Sequence, residues 1–173
     1  MIFDRLCRPT FSFILGYVGD PSLAEDLTQE TFIRAYRGLG SMRGDSRLST
    51  WVFAIARNVA REAVRAKYSG SAAVELDEEG WQLIQDDRAT PDRSVLGVEL
   101  AQKVQQAVAR LPERQRIIFL LRVVNHMRYE EIAAIVGGSV TKLKTEMHRA
   151  RRSMRLRLGP YLEDQASAMR GGL

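Results

Sequence analysis

Arg57, Arg61 and Arg65 recur at every fourth position. On a helix that spacing makes one basic stripe, with Asn58 beside it. Three guanidinium groups one turn apart repel one another mildly. A phosphate backbone would relieve that repulsion, and a plainly solvated face would accommodate the same pattern. A second basic run is more informative. Val140, Leu143, Met147, Ala150, Met154 and Leu158 fall on one narrow side of a helix, while Thr141, Lys142, Thr145, Arg149 and Arg152 fall opposite. Arginine pairs bidentately with guanine, and a threonine hydroxyl serves several bases. The chemistry these residues support is reading the edge of duplex DNA.

Covalent chemistry finds no comparable constellation. The sequence has no Ser/His/Asp or Cys/His set, no phosphate-binding glycine loop and no metal-ligand spacing. The expectation is a protein that is not an enzyme, with no metal, no cofactor and no small-molecule substrate. Its one cysteine, Cys7, cannot form an internal disulfide and reads as a packed thiol. His126 and His148 read as surface or DNA-adjacent residues. No apolar run approaches the ~20 residues of a membrane span, so no membrane insertion is expected. The start, Met1-Ile2-Phe3-Asp4-Arg5, has an early acid and no apolar block, unlike a secretory leader. Together these features fit a cytoplasmic location.

The elements that must carry these residues are helices. Hydrophobic periodicity is near 3.6 throughout, and no segment alternates with period 2. The expected fold is all-α: two small helical domains joined by an acidic linker, the second a helix-turn-helix domain. Asp20-Pro21-Ser22 starts a helix over about 23–39, with Ala24, Leu27, Phe32, Ala35, Tyr36 and Leu39 as its apolar arc. Asp26, Gln29, Glu30, Ile33 and Arg37 lie on the other side, which suits either solvent or a protein partner. A second helix runs from about Ser49 to Lys67, with Trp51 assigned to its core side. A third covers about 92–110. Pro112 restarts the chain into a buried helix over 117–124. Tyr129 to Val136 forms a short helix, Gly137-Gly138-Ser139 turns, and a long basic helix follows from Val140 to about Leu158. Short helix, glycine turn and basic helix make the helix-turn-helix pattern.

Charge marks the divisions. The 173 residues carry a formal net charge of +5. Residues 69–100 are net −6, and residues 110–158 are net +8. A basic C-terminal block suits a polyanion. The boundaries are therefore a first domain at 1–68, an acidic linker at 69–92, a second domain at 93–163 and a frayed tail at 164–173.

The motifs on these elements resemble those of bacterial sigma factors. Asp26-Leu27-Thr28-Gln29-Glu30-Thr31-Phe32-Ile33-Arg34-Ala35-Tyr36 is similar to their hallmark segment. Met42-Arg43-Gly44-Asp45-Ser46 to Trp51, and then Ile55-Ala56-Arg57-Asn58, continue it. Leu111-Pro112-Glu113-Arg114-Gln115-Arg116, Tyr129-Glu130-Glu131-Ile132-Ala133 and His148-Arg149-Ala150-Arg151 resemble the family's second DNA-binding domain. The compact two-domain form resembles the extracytoplasmic-function (ECF) group. The resemblance implies a sigma factor that binds core RNA polymerase, recognises the minus-35 and minus-10 elements and initiates transcription.

It also implies residue roles. Asp26, Gln29, Glu30 and Arg34 would dock on polymerase. Arg43, Asp45, Arg47, Trp51, Arg57, Asn58 and Arg61 would meet strand-separated minus-10 DNA. Thr141, Lys142, Lys144, Thr145 and Arg149 would meet duplex minus-35 DNA. An anti-sigma protein is an implied partner, and the acidic linker would run toward the RNA exit path. Glu146 departs from the family's usual basic residue. On the helical wheel it flanks the DNA face, where it would repel phosphate or accept from cytosine N4. The alternative is a helix-turn-helix regulator that binds duplex DNA without polymerase. Such a regulator has no need of the segment from Asp26 to Tyr36.

Overall fold

The computed structural model describes residues 2–41, 47–68 and 95–170. Within them the chain forms seven α-helices and no strand. Helix α1 spans Ile2–Val18, α2 Pro21–Gly38 and α3 Leu48–Tyr68. Helix α4 spans Val95–Ala109, α5 Glu113–Phe119, α6 Tyr129–Val136 and α7 Val140–Arg170. Arg43, Asp45, the expected linker 69–92 and residues 171–173 lie outside the described residues.

Helix α1 has no counterpart in the periodicity reading above. It buries Phe13, Ile14, Leu15 and Tyr17. Cys7 is exposed on it, against the expectation of a packed thiol. The helix ends at Gly19, whose φ of 77° is the left-handed conformation that closes many helices. Asp20 then caps α2: its carboxylate accepts from the Leu23 N–H at 3.1 Å, and Pro21 takes the first turn, where a missing N–H costs nothing.

The buried stripe of α2 differs from the expected arc. Ala24, Thr28, Thr31 and Ala35 face the core, while Tyr36 and Leu39 are exposed. Each threonine hydroxyl donates to the carbonyl one turn back, Thr28 to Ala24 at 2.6 Å and Thr31 to Leu27 at 2.7 Å. Satisfied in that way, a threonine buries its methyl group without leaving a lone donor. Helix α3 packs on α1 and α2 through Val52, Phe53, Ala56, Val59 and Ala60. Trp51 is half-buried and not a core residue.

In the second half, α5 passes directly into a π-helical turn over Leu120–Val124. The Asn125 N–H reaches back five residues to the Leu120 carbonyl at 3.1 Å. This wider turn shifts the helical register. Leu120 and Leu121 stay buried, but Val123 and Val124 turn to solvent, unlike the continuous buried helix expected there. The short turn between α6 and α7 uses two left-handed glycines, Gly137 at φ 73° and Gly138 at φ 95°. Ser139 then begins α7, its hydroxyl accepting from the Lys142 N–H at 3.3 Å. Helix α7 continues to Arg170, beyond the expected end near Leu158 and into the segment read as a frayed tail.

The two halves share one connected core. Phe13 and Phe53 of the first half meet edge to face, with ring centroids 5.7 Å apart. They belong to the same buried cluster as Ile118, Leu121, Ile132 and Leu143 of the second. Gly16 lies against Leu120. A Cβ built there would lie 2.5 Å from Leu120 Cδ2, and its three nearest neighbours are all atoms of Leu120.

Candidate nucleic-acid and protein interfaces

Helix α7 presents the clearest surface. Leu143, Met147, Ala150 and Met154 are buried against the rest of the second half. Thr141, Lys142, Lys144, Thr145 and Arg149 are all exposed. The structure therefore gathers the five residues expected at minus-35 DNA on accessible parts of one helix. The Thr145 hydroxyl donates to the Thr141 carbonyl at 3.1 Å, which fixes its rotamer and leaves its lone pairs outward. The Lys144 ammonium lies 5.9 Å from the centroid of the Tyr129 ring, whose other cation contact is Arg122 at 5.2 Å. That geometry restrains Lys144 beside the start of α6.

Glu146 corrects its sequence reading. Its side chain is largely buried and faces the Arg114 guanidinium at 3.8 Å, so it does not flank the DNA face. Arg114 is the functional residue that sequence reasoning missed. Its Nη1 donates to the Val136 carbonyl at 3.1 Å, and its Nη2 donates to the Gly137 carbonyl at 2.8 Å. It thus closes the end of α6 and anchors the turn that aims α7. The signal available in sequence was the departure at Glu146: a carboxylate on a basic helix calls for a cation nearby.

On α2, Asp26 and Gln29 are exposed, and Glu30 and Arg34 are half-exposed. Arg34 is the centre of an ion network. Its Nε meets Glu30 at 2.6 Å and its Nη1 meets Glu62 of α3 at 2.7 Å. The hydrogen bonds it donates to Glu30 and Glu62 raise the pKa of the guanidinium above its ordinary value. Ile33 and Tyr36 are exposed at 44% and 74%. They sit one turn apart on the face that carries Asp26, Gln29 and Glu30. Tyr36, assigned to the core from its position on the wheel, belongs to this surface instead.

The residues expected at minus-10 DNA are placed differently. Trp51 and Asn58 lie two turns apart on one face of α3, with Arg57 and Arg61 on the adjoining face. Arg57 and Arg61 are only partly exposed, and both are held by the second half. The Arg57 Nη1 donates to the Ile135 carbonyl at 3.0 Å. The Arg61 Nε donates to Glu113 Oε1 at 2.8 Å. Burial, and then the charge of Arg61, lowers the pKa of the Arg57 guanidinium. Arg47, just before α3, meets the Glu131 carboxylate at 3.2 Å. Among the described residues no group of three or more His, Cys, Asp or Glu side chains could hold a metal ion. No helix is long and apolar enough to cross a membrane, among the same residues.

Comparison with known proteins gives the family. Residues 2–69 match the Sigma-70 region 2 family, and residues 101–154 match the Sigma-70, region 4 family. The chain is 33% identical over 171 residues to the RNA polymerase sigma-H factor of Pseudomonas aeruginosa, covering 94% of this chain and 89% of that protein. It is 33% identical over 147 residues to the ECF RNA polymerase sigma factor SigW of Bacillus subtilis, covering 82% and 78%. Two solved structures share the fold. One is the sigma factor RpoE in complex with the anti-sigma factor NepR from Bartonella quintana, with a TM-score of 0.66, 24% identity and coverage of 89% and 92%. The other is CnrH in complex with the cytosolic domain of CnrY, with a TM-score of 0.68, 21% identity and coverage of 92% and 86%.

Proposed function

Because the chain belongs to the sigma-70 family, and within it to the ECF group of sigma factors, we propose that its two helical halves divide promoter recognition between them. As an ECF sigma factor it is a transcription initiation factor that acts with core RNA polymerase on promoter DNA. The reading as a polymerase-independent regulator is disfavoured by the first half, which matches sigma region 2 from end to end.

The assignment of roles proceeds from the surfaces. The first domain, 1–68, docks on polymerase through Asp26, Gln29, Glu30 and Arg34, with Ile33 and Tyr36 as its apolar contacts. It binds strand-separated minus-10 DNA through Arg43, Asp45, Arg47, Trp51, Arg57, Asn58 and Arg61. The arginines hold phosphates, and Trp51 offers a flat face to an unstacked base. The second domain, 93–163, places α7 in the major groove at minus-35. Lys144, Thr145 and Arg149 read base edges there, with Thr141 and Lys142 beside them at the start of the helix. The linker 69–92 joins the two, with 164–173 as a tail. No step makes or breaks a covalent bond on this chain, so it has no catalytic residue of its own. An anti-sigma protein is its natural antagonist, acting in the cytoplasm on the same surfaces. The observation that carries this reading is the accessible basic face of α7 in a chain whose first half matches region 2. Transcription in vitro with core polymerase and a library of promoter fragments tests it. Discrete start sites that depend on this protein are expected. Duplex binding without any polymerase-dependent start would return the reading to a simple regulator.

A further inference from the structure

The Arg34 guanidinium is held from two helices at once. Its Nε donates to Glu30 Oε1 at 2.6 Å within α2, and its Nη1 donates to Glu62 Oε2 of α3 at 2.7 Å. A guanidinium carries five N–H donors on three nitrogens. The two carboxylates engage Nε and Nη1, and nothing among the described residues accepts from Nη2. The cluster stands at the surface: the side chains are 41% exposed for Glu30, 40% for Arg34 and 58% for Glu62. Glu62 belongs to neither of the first domain's two assigned surfaces. Resting on the docking assignment of α2 above, we propose that Glu62 is a positioning residue for polymerase binding, which fixes the Arg34 guanidinium so that its open Nη2 edge meets an oxygen acceptor of the polymerase.

The helical wheel shows why a second anchor is needed. Asp26, Glu30 and Ile33 point away from the buried stripe of Ala24, Thr28, Thr31 and Ala35. Arg34 lies at the edge of that outward face, about a quarter turn from the stripe. At this edge α3 supplies Glu62. An arginine at an edge, held only by a carboxylate one turn back, keeps much of its rotamer freedom. A partner that immobilises such a side chain bears the lost entropy. The bond from Glu62 crosses from a different helix and a different direction. Its own backbone is secured by Val59 and Ala60, which are buried where α3 packs on α2. The guanidinium plane is therefore set when the domain folds, before any partner arrives.

Stability is a poor explanation for the cluster. Ion pairs as exposed as these contribute little to folding and are screened by salt. The exposure that makes them weak as a brace leaves them within reach of a partner. Glu62 thus extends the docking face from α2 onto α3 without itself touching the polymerase, and its effect exists only while Arg34 is present.

A double-mutant cycle on the full chain tests this, with purified core RNA polymerase as the probe and fluorescence anisotropy of the labelled chain as the readout. Glu62→Ala is expected to weaken core binding about 3- to 10-fold, the size of one pre-organised side chain. Its urea midpoint and its duplex minus-35 affinity are expected to stay those of the parent. In an Arg34→Ala background the same replacement at Glu62 should cost nothing more. Unchanged core affinity in Glu62→Ala overturns the proposal. So does an equal further loss in the Arg34→Ala background, which would make Glu62 a direct contact. A matching fall in the urea midpoint or in duplex affinity overturns it too, by showing a structural role alone. Charge reversal at Asp26 separates the two levels of the argument. If it weakens core binding while Arg34→Ala does not, the role of Glu62 falls and the docking face stands. If neither change matters, the docking assignment falls and takes the proposal with it.

Discussion

The Tyr17 hydroxyl donates to Glu113 Oε1 at 2.7 Å, joining α1 to the first residue of α5 across 96 positions of sequence. Burial, and then the hydrogen bond and charge of Glu113, push the Tyr17 hydroxyl far above its ordinary pKa. Burial alone would raise the Glu113 carboxyl as well. The Tyr17 donor and the cations Arg61 and Arg57 outweigh it and hold the carboxyl below its ordinary value.

Tyr17→Phe removes the donor and keeps the ring, which stacks near Phe13 at 6.4 Å and lies 5.8 Å from the Arg116 guanidinium. The expected cost is about 1–2 kcal/mol, because the bond is part-buried and its acceptor is charged. Urea unfolding measures it as a lowered midpoint at unchanged slope. An unchanged midpoint would show that Arg61 alone satisfies Glu113.

The depressed carboxyl gives a pH dependence of known sign. Glu113 contributes stability fully above its ordinary value of 4.5, and that share is lost as pH falls through its lower folded value. Tyr17, Arg61 and Arg57 are the groups that hold it there. Unfolding curves across the acid range should show this loss, and Glu113→Gln should flatten it there while leaving the slope near neutrality alone.

Arg149→Ala should weaken duplex minus-35 binding by roughly 1–3 kcal/mol and relax preference at one base pair. Lys142→Ala should instead weaken all sequences alike and reduce the salt slope by about one. Titrations at several salt concentrations separate the two outcomes.

Arg114→Ala leaves the Val136 and Gly137 carbonyls without their donor and Glu146 without its cation. A loss of about 1–3 kcal/mol in stability is expected. Duplex affinity should fall further than that of a surface control, because the turn that aims α7 is loosened. Arg114→Lys should not rescue it, since one ammonium cannot reproduce the two-pronged contact. Thermal unfolding and duplex titration of the three proteins check this.

Tyr36→Ala removes a side chain that is 74% exposed, so stability should change by less than about 0.5 kcal/mol. Affinity for core polymerase should fall by about 1–2 kcal/mol if the ring is a docking anchor. Charge reversal at Asp26 should do the same and leave duplex minus-35 binding intact. A core-binding titration with equal affinities would remove this face from the interface.

Most of the architecture was legible because helical periodicity is a local property. The seam Leu143, Met147, Ala150 and Met154 and the glycine turn before it could be read from spacing alone. Where the reading failed, the deciding interaction was not periodic. The α2 stripe uses Thr28 and Thr31, polar by type but satisfied by their own backbone, so a hydropathy wheel moved Tyr36 inward in their place. The π turn at Leu120–Val124 changes the register by a single hydrogen bond, which residue types do not announce. Glu146 looked like part of the DNA face because a wheel shows direction and not neighbours, and Arg114 lies 32 residues upstream on another helix. The partners of Arg47, Arg57 and Arg61 were out of reach for the same reason. A stripe of arginines predicts an anionic partner, and it cannot say that the partner belongs to the same chain.

Arg61 and Glu113 are 52 residues apart in the chain. At about 5–20 residues per second, a ribosome adds Glu113 roughly 3–10 s after Arg61. During that interval the arginine stripe of the nascent first half lacks Glu113 and Glu131, the two carboxylates that Arg61 and Arg47 meet in the folded chain, while the acidic residues of 69–100 are already made. The order of the two halves along the chain thus completes the arginine stripe before the carboxylates that pair with it in the folded molecule.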